Sequence, residues 1–242
     1  MTPAPAPTEV PTPARFRQPR FTPPPGATEI LLVRHGESEA AVAGRSFELL
    51  DGQGDPALSP EGRVQAEKVG ARLGQERIDA IYVTTLRRTA ETAAPLVEIK
   101  GLAPVVEPDL REVFVGDWEG GLLRQKVAER DPVAVRMFEE QRWDVIPGAE
   151  PAASFRRRVG GAVERIAAAH GDGRVVVFSH GGTIGEVLAQ ATRSEPFAFA
   201  GADNGSISGI VVTPGRWILR RYNDTAHLDA GVTSGPGAPP AT

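Results

Sequence analysis

Two apolar runs in this chain stop in the same way. Ile30-Leu31-Leu32-Val33 leads into Arg34-His35-Gly36, and Val175-Val176-Val177-Phe178-Ser179 leads into His180-Gly181-Gly182. A short, partly β-branched apolar run that ends abruptly reads as a strand buried on both faces. Such strands belong to parallel sheets covered by helices on each side. The two runs therefore deliver a His-Gly step each to the carboxyl edge of one sheet, where open α/β sheets bind ligands. A permanently charged guanidinium beside an imidazole, followed by a residue with no side chain, is suited to trapping a phosphate.

Between these runs the pattern alternates strand and helix. Ser59 reads as an N-cap with Pro60 at the first helical position, and the helix runs to about Gln75. Ile78–Val83 reads as a second strand, Leu86–Ile99 as a helix closed by Gly101, and Pro104–Glu107 as a third strand. Glu119–Arg142 is helical but broken near Asp131-Pro132. Ala152–His170 is a long helix, and Gly182–Ala191 follows the second His-Gly strand. Ile207–Val212 and Trp217–Tyr222 form a hairpin around Thr213-Pro214-Gly215-Arg216. The predicted fold class is α/β, a three-layer α/β/α sandwich with a mostly parallel central sheet and an antiparallel C-terminal hairpin at its edge. Residues 29–228 form the domain. Residues 1–28, crowded with proline and lacking hydrophobic periodicity, read as a disordered leader, and residues 229–242 as a flexible tail.

Composition narrows the function. The chain has 242 residues, a net charge of −4 and no cysteine. A slightly acidic chain offers no basic face for nucleic acid, and no apolar stretch is long enough to span a membrane. Without cysteine, thiolate nucleophiles, disulfides and Cys-ligated metals are excluded, which fits a cytoplasmic protein. His35 and His180 each lack a nearby histidine or carboxylate at metal-ligand spacing, so no metal or other cofactor is implied.

Further charged residues fall at strand ends. Arg88 lies in the first turn of the helix after the second strand, where a cation gains nothing from the helix dipole unless an anion is shared between them. Glu112, after the third strand, brings a carboxyl to the same edge. Asp117 and Glu119 stand nearby as loop anchors or as rivals for the acid role. Trp118 reads as a core anchor for that loop, His170 as a helix C-terminal residue, His227 as packing or surface, and Arg156-Arg157-Arg158 as a mainly solvated helix face.

These residues resemble the histidine phosphatase superfamily, also called the phosphoglycerate mutase-like family. The resemblance runs from Ile30 to about Leu228. It rests on Leu-Val-Arg34-His35-Gly36-Glu37-Ser38, Leu58-Ser59-Pro60-Glu61-Gly62, Leu86-x-Arg88-Thr89-Ala90-Glu91-Thr92-Ala93, Leu110-Arg111-Glu112 with Gly116-x-Trp118-Glu119-Gly120, and Ser179-His180-Gly181-Gly182. It implies His35 as the nucleophile, Arg34, Arg88 and His180 around the phosphoryl group with Gly181 beside them, and Glu112 as the proton donor. Arg45 matches an arginine often found near the phosphate. Ala41 stands where family members commonly carry asparagine.

The chemistry follows from these groups. A neutral imidazole attacks phosphorus and splits hydrolysis into two steps. Guanidinium groups take the electrostatic role that a metal plays elsewhere. Glu112 protonates the leaving oxygen and later activates water, which asks for a raised carboxyl pKa. The expected activity is metal-independent hydrolysis of a small phosphomonoester. A phosphoglycerate mutase uses the same residues, but mutase-type relatives carry a longer insertion between the acid loop and the second histidine. A non-catalytic phospho-ligand binder is a third alternative. Specificity is expected from Phe47–Asp55 and Leu122–Trp143. The oligomeric state is left open, with a homodimer among the alternatives.

Overall fold

The computed structural model describes residues 16–228, and along them strands and helices alternate as expected. They run β1 (Thr28–Arg34), β2 (Leu49–Leu50), β3 (Gln53–Gly54), α1 (Pro60–Gly74), β4 (Ala80–Val83), α2 (Arg87–Lys100) and β5 (Val105–Val106). There follow α3 (Leu122–Ala128), α4 (Pro132–Glu140), α5 (Ala152–Ala169), β6 (Arg174–Ser179), α6 (Gly181–Thr192), β7 (Ile207–Thr213) and β8 (Arg216–Asp224). Local signals set several boundaries. Ser59 Oγ accepts from the Gly62 N–H at 3.0 Å, capping α1, and Gly101, with φ of 63°, closes α2 in the left-handed region.

The six-stranded sheet has the order β5-β4-β6-β1-β7-β8. The first four strands are mutually parallel, while β7 pairs antiparallel with both β1 and β8. Alternation along the strands sends side chains to both faces. Ile30, Leu32, Val175 and Val177 meet Phe155, Val159, Val163 and Ile166 of α5 and Ile184 and Val187 of α6. Val33, Val176 and Phe178 meet Val69 and Leu73 of α1 and Ala93 and Leu96 of α2. Helices therefore cover both faces, and this is the three-layer α/β/α arrangement.

Two expectations change. The leader was expected to extend through Thr28, yet Ala27 is buried and Thr28 opens β1, donating its hydroxyl to the carbonyls of Ala167 and His170 at 2.9 Å. Phe21 lies under the Arg220 guanidinium, 3.8 Å from ring centroid to Cζ. Residues 1–15 of the leader and the tail from 229 onward lie outside the described residues. The loop after β1 also contains an unexpected hairpin. β2 and β3 pair across Asp51-Gly52, both at positive φ (49° and 82°), as a two-residue turn of the primed type requires.

Candidate active site

The parallel register of β1 and β6 sets Arg34 opposite Ser179, so His35 and His180 emerge side by side. Their ring centroids are 5.2 Å apart. The His35 N–H donates to the Ser179 carbonyl at 3.0 Å, and Asn204 Nδ2 donates to the His35 carbonyl at 2.9 Å. Gly36 then runs against α1 so closely that a Cβ there would lie 2.4 Å from the Gly62 carbonyl oxygen. That contact explains why a Leu-Ser-Pro-Glu-Gly segment accompanies Arg-His-Gly in the sequence.

Both histidines are fully buried among cations. Burial first, then Arg88 and Arg34, holds the His35 imidazole well below its ordinary pKa, and burial with the same arginines does so for His180. His35 Nδ1 lies 2.7 Å from the Gly36 carbonyl, so in the neutral ring Nδ1 carries the proton and Nε2 the lone pair. Arg88 Nε covers that lone pair at 3.2 Å. Arg88 is itself fixed by Nη1 donating to the Gly54 carbonyl at 2.9 Å, and burial pushes it down to about 10.

His180 is oriented from β4. Its Nε2 lies 3.0 Å from Thr84 Oγ1. Thr84 Oγ1 also meets Thr89 Oγ1 at 3.1 Å, and Thr89 Oγ1 donates to the Leu86 carbonyl at 2.8 Å, so a chain of hydroxyls holds the ring in place. Nδ1 of His180 and Nε of Arg34 are buried with no hydrogen-bond partner. Buried polar atoms without a partner are costly, and here two stand close to the His35 imidazole. Arg34 Nη1 donates to the Ala202 carbonyl. Gly181 lies against the Arg34 guanidinium, where a Cβ would sit 3.4 Å from Nε.

Glu112 reaches the site on a loop with no regular structure of its own. Oε2 accepts from the Gly182 N–H, and Oε1 from the N–H groups of Thr183 and Val113, each at 3.0 Å. The loop backbone is held as firmly. Ser179 Oγ donates to the Leu110 carbonyl at 2.8 Å and Thr183 Oγ1 to the Arg111 carbonyl at 2.7 Å. Arg158 donates to the carbonyls of Asp109, Arg111 and Glu112 at 2.8–2.9 Å while pairing with both oxygens of Glu150. Gln53 Nε2 adds a bond to the Glu112 carbonyl at 2.9 Å. Glu119 is the loop anchor, accepting from the N–H groups of Val115 and Gly54 at 3.0 and 2.8 Å, and burial pushes its carboxyl up.

The pocket above these groups is lined by Arg34, His35, Arg88, Glu112, Glu119 and Arg124, with Phe47, Trp118 and Trp143 as apolar wall. His180 lies beneath. Arg45 stands apart. It is exposed, bridged through its backbone to Val42, and absent from the pocket lining, because the turn at Gly44 directs it outward. His170 receives no site role and meets the Tyr82 hydroxyl at 2.8 Å. His227 binds the Gly205 carbonyl at 3.0 Å. Among the described residues no cluster of three or more His, Cys, Asp or Glu side chains could hold a metal ion, and no helix is long and apolar enough to cross a membrane.

Thr84, Gln53, Arg124 and Arg158 were not singled out as site residues in the sequence. Arg158 sat inside a basic run that looked solvated, and Thr84 is polar without being titratable. Neither carries a signal until strand ends and loop are brought together.

The family model of the histidine phosphatase superfamily (branch 1) matches residues 30–225. The chain belongs to this superfamily. As a histidine phosphatase it is 35% identical over 204 residues to phosphoserine phosphatase 1 of Hydrogenobacter thermophilus, covering 83% of this chain and 94% of that one. It is 33% identical to the metal-independent phosphoserine phosphatase of Arabidopsis thaliana, with 84% of each chain covered. Among solved structures, the native mycobacterial glucosyl-3-phosphoglycerate phosphatase superposes with a TM-score of 0.68 at 28% identity, over 81% of this chain and 98% of that one. The protein is a phosphatase.

Proposed function

We propose that this phosphatase hydrolyses a small, carboxylate-bearing phosphomonoester, phosphoserine first among them, without a metal and through a phosphohistidine on His35 Nε2. The supporting observation is the pair of buried nitrogens without a hydrogen-bond partner, Arg34 Nε and His180 Nδ1, beside a neutral imidazole. With the His180 proton on Nδ1, an entering phosphate gives both an acceptor and draws the Arg88 guanidinium off the His35 lone pair onto its own oxygens. The proposal carries a cytoplasmic location with it, since small charged esters do not cross a bilayer unaided.

Nε2 of His35 attacks phosphorus as the bond to the ester oxygen breaks. Glu112 gives its proton to that oxygen. Oε2 is the atom suited to carry it, because only one N–H occupies it and a lone pair stays free. Water then attacks the phosphohistidine and returns a proton to Glu112, the P–N bond breaks, and inorganic phosphate leaves with His35 neutral again. Arg34, Arg88 and His180 hold the equatorial oxygens through both steps. The phosphatase relatives favour hydrolysis over the mutase alternative.

Rapid quenching in alkaline detergent with 32P-labelled phosphoserine is expected to trap an acid-labile, base-stable phosphoprotein in the wild type and none in His35→Ala. Glu112→Gln is expected to slow cleavage of poor leaving groups most. Turnover retained by His35→Ala removes the nucleophile, and equal slowing across leaving groups removes Glu112 from the acid role.

A further inference from the structure

Arg124 is the third guanidinium of the pocket, and the phosphoryl chemistry does not use it. It projects from α3 and lines the same pocket as His35, Arg88 and Glu112. It also lines the adjoining cleft with Arg34, Ser38, Ala41 and Asn204. Two neutral acceptors fix it: the Glu39 carbonyl takes Nη1 at 2.9 Å and Ser38 Oγ takes Nη2 at 2.7 Å. The Phe47 ring packs against it, with Cζ 5.6 Å from the centroid. A guanidinium has five N–H donors, so three remain.

Arg124 forms no ion pair with the described carboxylates. Other arginines of comparable exposure, such as Arg111, Arg158 and Arg174, each have one. Burial and the neighbouring Arg34 push its pKa down, with Glu37 acting against them from the cleft without contact. Holding one more cation beside Arg34 and Arg88 costs energy in the empty protein, and an anion on the open side of the fork relieves it. The ester phosphate is already met by Arg34, Arg88 and His180, so that anion is a second one. The fork is planar, the Phe47 ring packs against it, and its unused N–H donors leave it an edge for a further acceptor on a residue that lines the pocket. A planar carboxylate matches that edge better than a second tetrahedral group.

We propose that Arg124 is a specificity residue that binds the carboxylate of the substrate while Arg34 and Arg88 bind its phosphate. This rests on the carboxylate-bearing substrate class above and adds the group that selects it. Ser38 and the Glu39 carbonyl are its positioning partners, which ties the selecting arginine to the segment directly after the nucleophile.

The test compares phosphoserine with phosphoethanolamine, which lacks only the carboxylate, by steady-state kinetics on wild type and Arg124→Gln. Loss of a charged hydrogen-bonded pair is expected to raise KM for phosphoserine about ten- to hundredfold with little change in kcat, leaving phosphoethanolamine unaffected. Arg124→Lys keeps the charge but not the fork and is expected to recover part of the loss, which also covers the case in which the glutamine variant folds poorly. Equal losses on both esters, or an unchanged KM for phosphoserine, overturn the assignment of Arg124 while the substrate class stands. A wild type that does not discriminate between the two esters overturns both.

Discussion

Two buried neutral imidazoles make the folded protein sensitive to acid in a definite window. In the unfolded chain each histidine titrates near its ordinary pKa of about 6.5. In the folded chain burial, reinforced by Arg88 and Arg34, holds both His35 and His180 well below that. Between the two values the unfolded state binds more protons, so stability rises with pH and is lost as pH falls through about 6.5. Each histidine therefore removes up to about 1.4 kcal/mol between pH 7.5 and pH 5.5, and the pair up to about 2.7 kcal/mol. Urea denaturation at the two pH values reads this directly, and His35→Asn/His180→Asn isolates it. The double variant has its own baseline stability, but its loss between the two pH values is expected to be smaller than that of the wild type, by up to about 2.7 kcal/mol. His227, also pushed down by burial, contributes equally to both proteins and cancels. The carboxylates held below their ordinary range, such as Asp79 and Asp131, act at lower pH. Identical acid sensitivity in the two proteins refutes the neutral, cation-surrounded pair on which the nucleophile assignment stands.

Two further predictions concern the scaffold. Arg158→Met strips three loop carbonyls and the largely buried Glu150 of their partner. It is expected to cost about 3–5 kcal/mol in chemical denaturation and to slow poor leaving groups more than good ones; a loss within the ordinary scatter of surface substitutions removes Arg158 as the brace of the acid loop. Gly36→Ala drives a methyl to 2.4 Å from the Gly62 carbonyl. It is expected to cost about 3 kcal/mol or more, measured as a lowered Tm, and an unchanged Tm shows that the two segments separate freely.

The fold was legible where one residue type carries one physical demand. The Val-rich run of β6, the Ser59-Pro60 start of α1, the Gly101 stop of α2 and the break at Asp131-Pro132 all lie within one or two residues of expectation. The β2–β3 hairpin was missed although Asp51-Gly52 is a strong turn signal, because two-residue strands leave no alternation to read. The site was legible where chemistry needs charge at a strand end, as at Arg34, His35, Arg88, Glu112 and His180. It was illegible where the work falls to backbone carbonyls and hydroxyls. No pattern in the sequence says that Thr84 meets His180, or that one arginine of a basic run turns inward to bind three carbonyls. Arg45, close in sequence to the site, is exposed and lies outside the pocket lining, next to Gly44 at a positive φ of 75°.

The 3.2 Å contact between Arg88 Nε and His35 Nε2 has a consequence for the idle enzyme. The nitrogen proposed as nucleophile is sheathed by an N–H that an entering phosphate, as proposed above, draws away. Electrophiles that lack such a group meet a guanidinium instead of an imidazole, and the ligand that unsheathes the nitrogen is the one that carries the phosphorus.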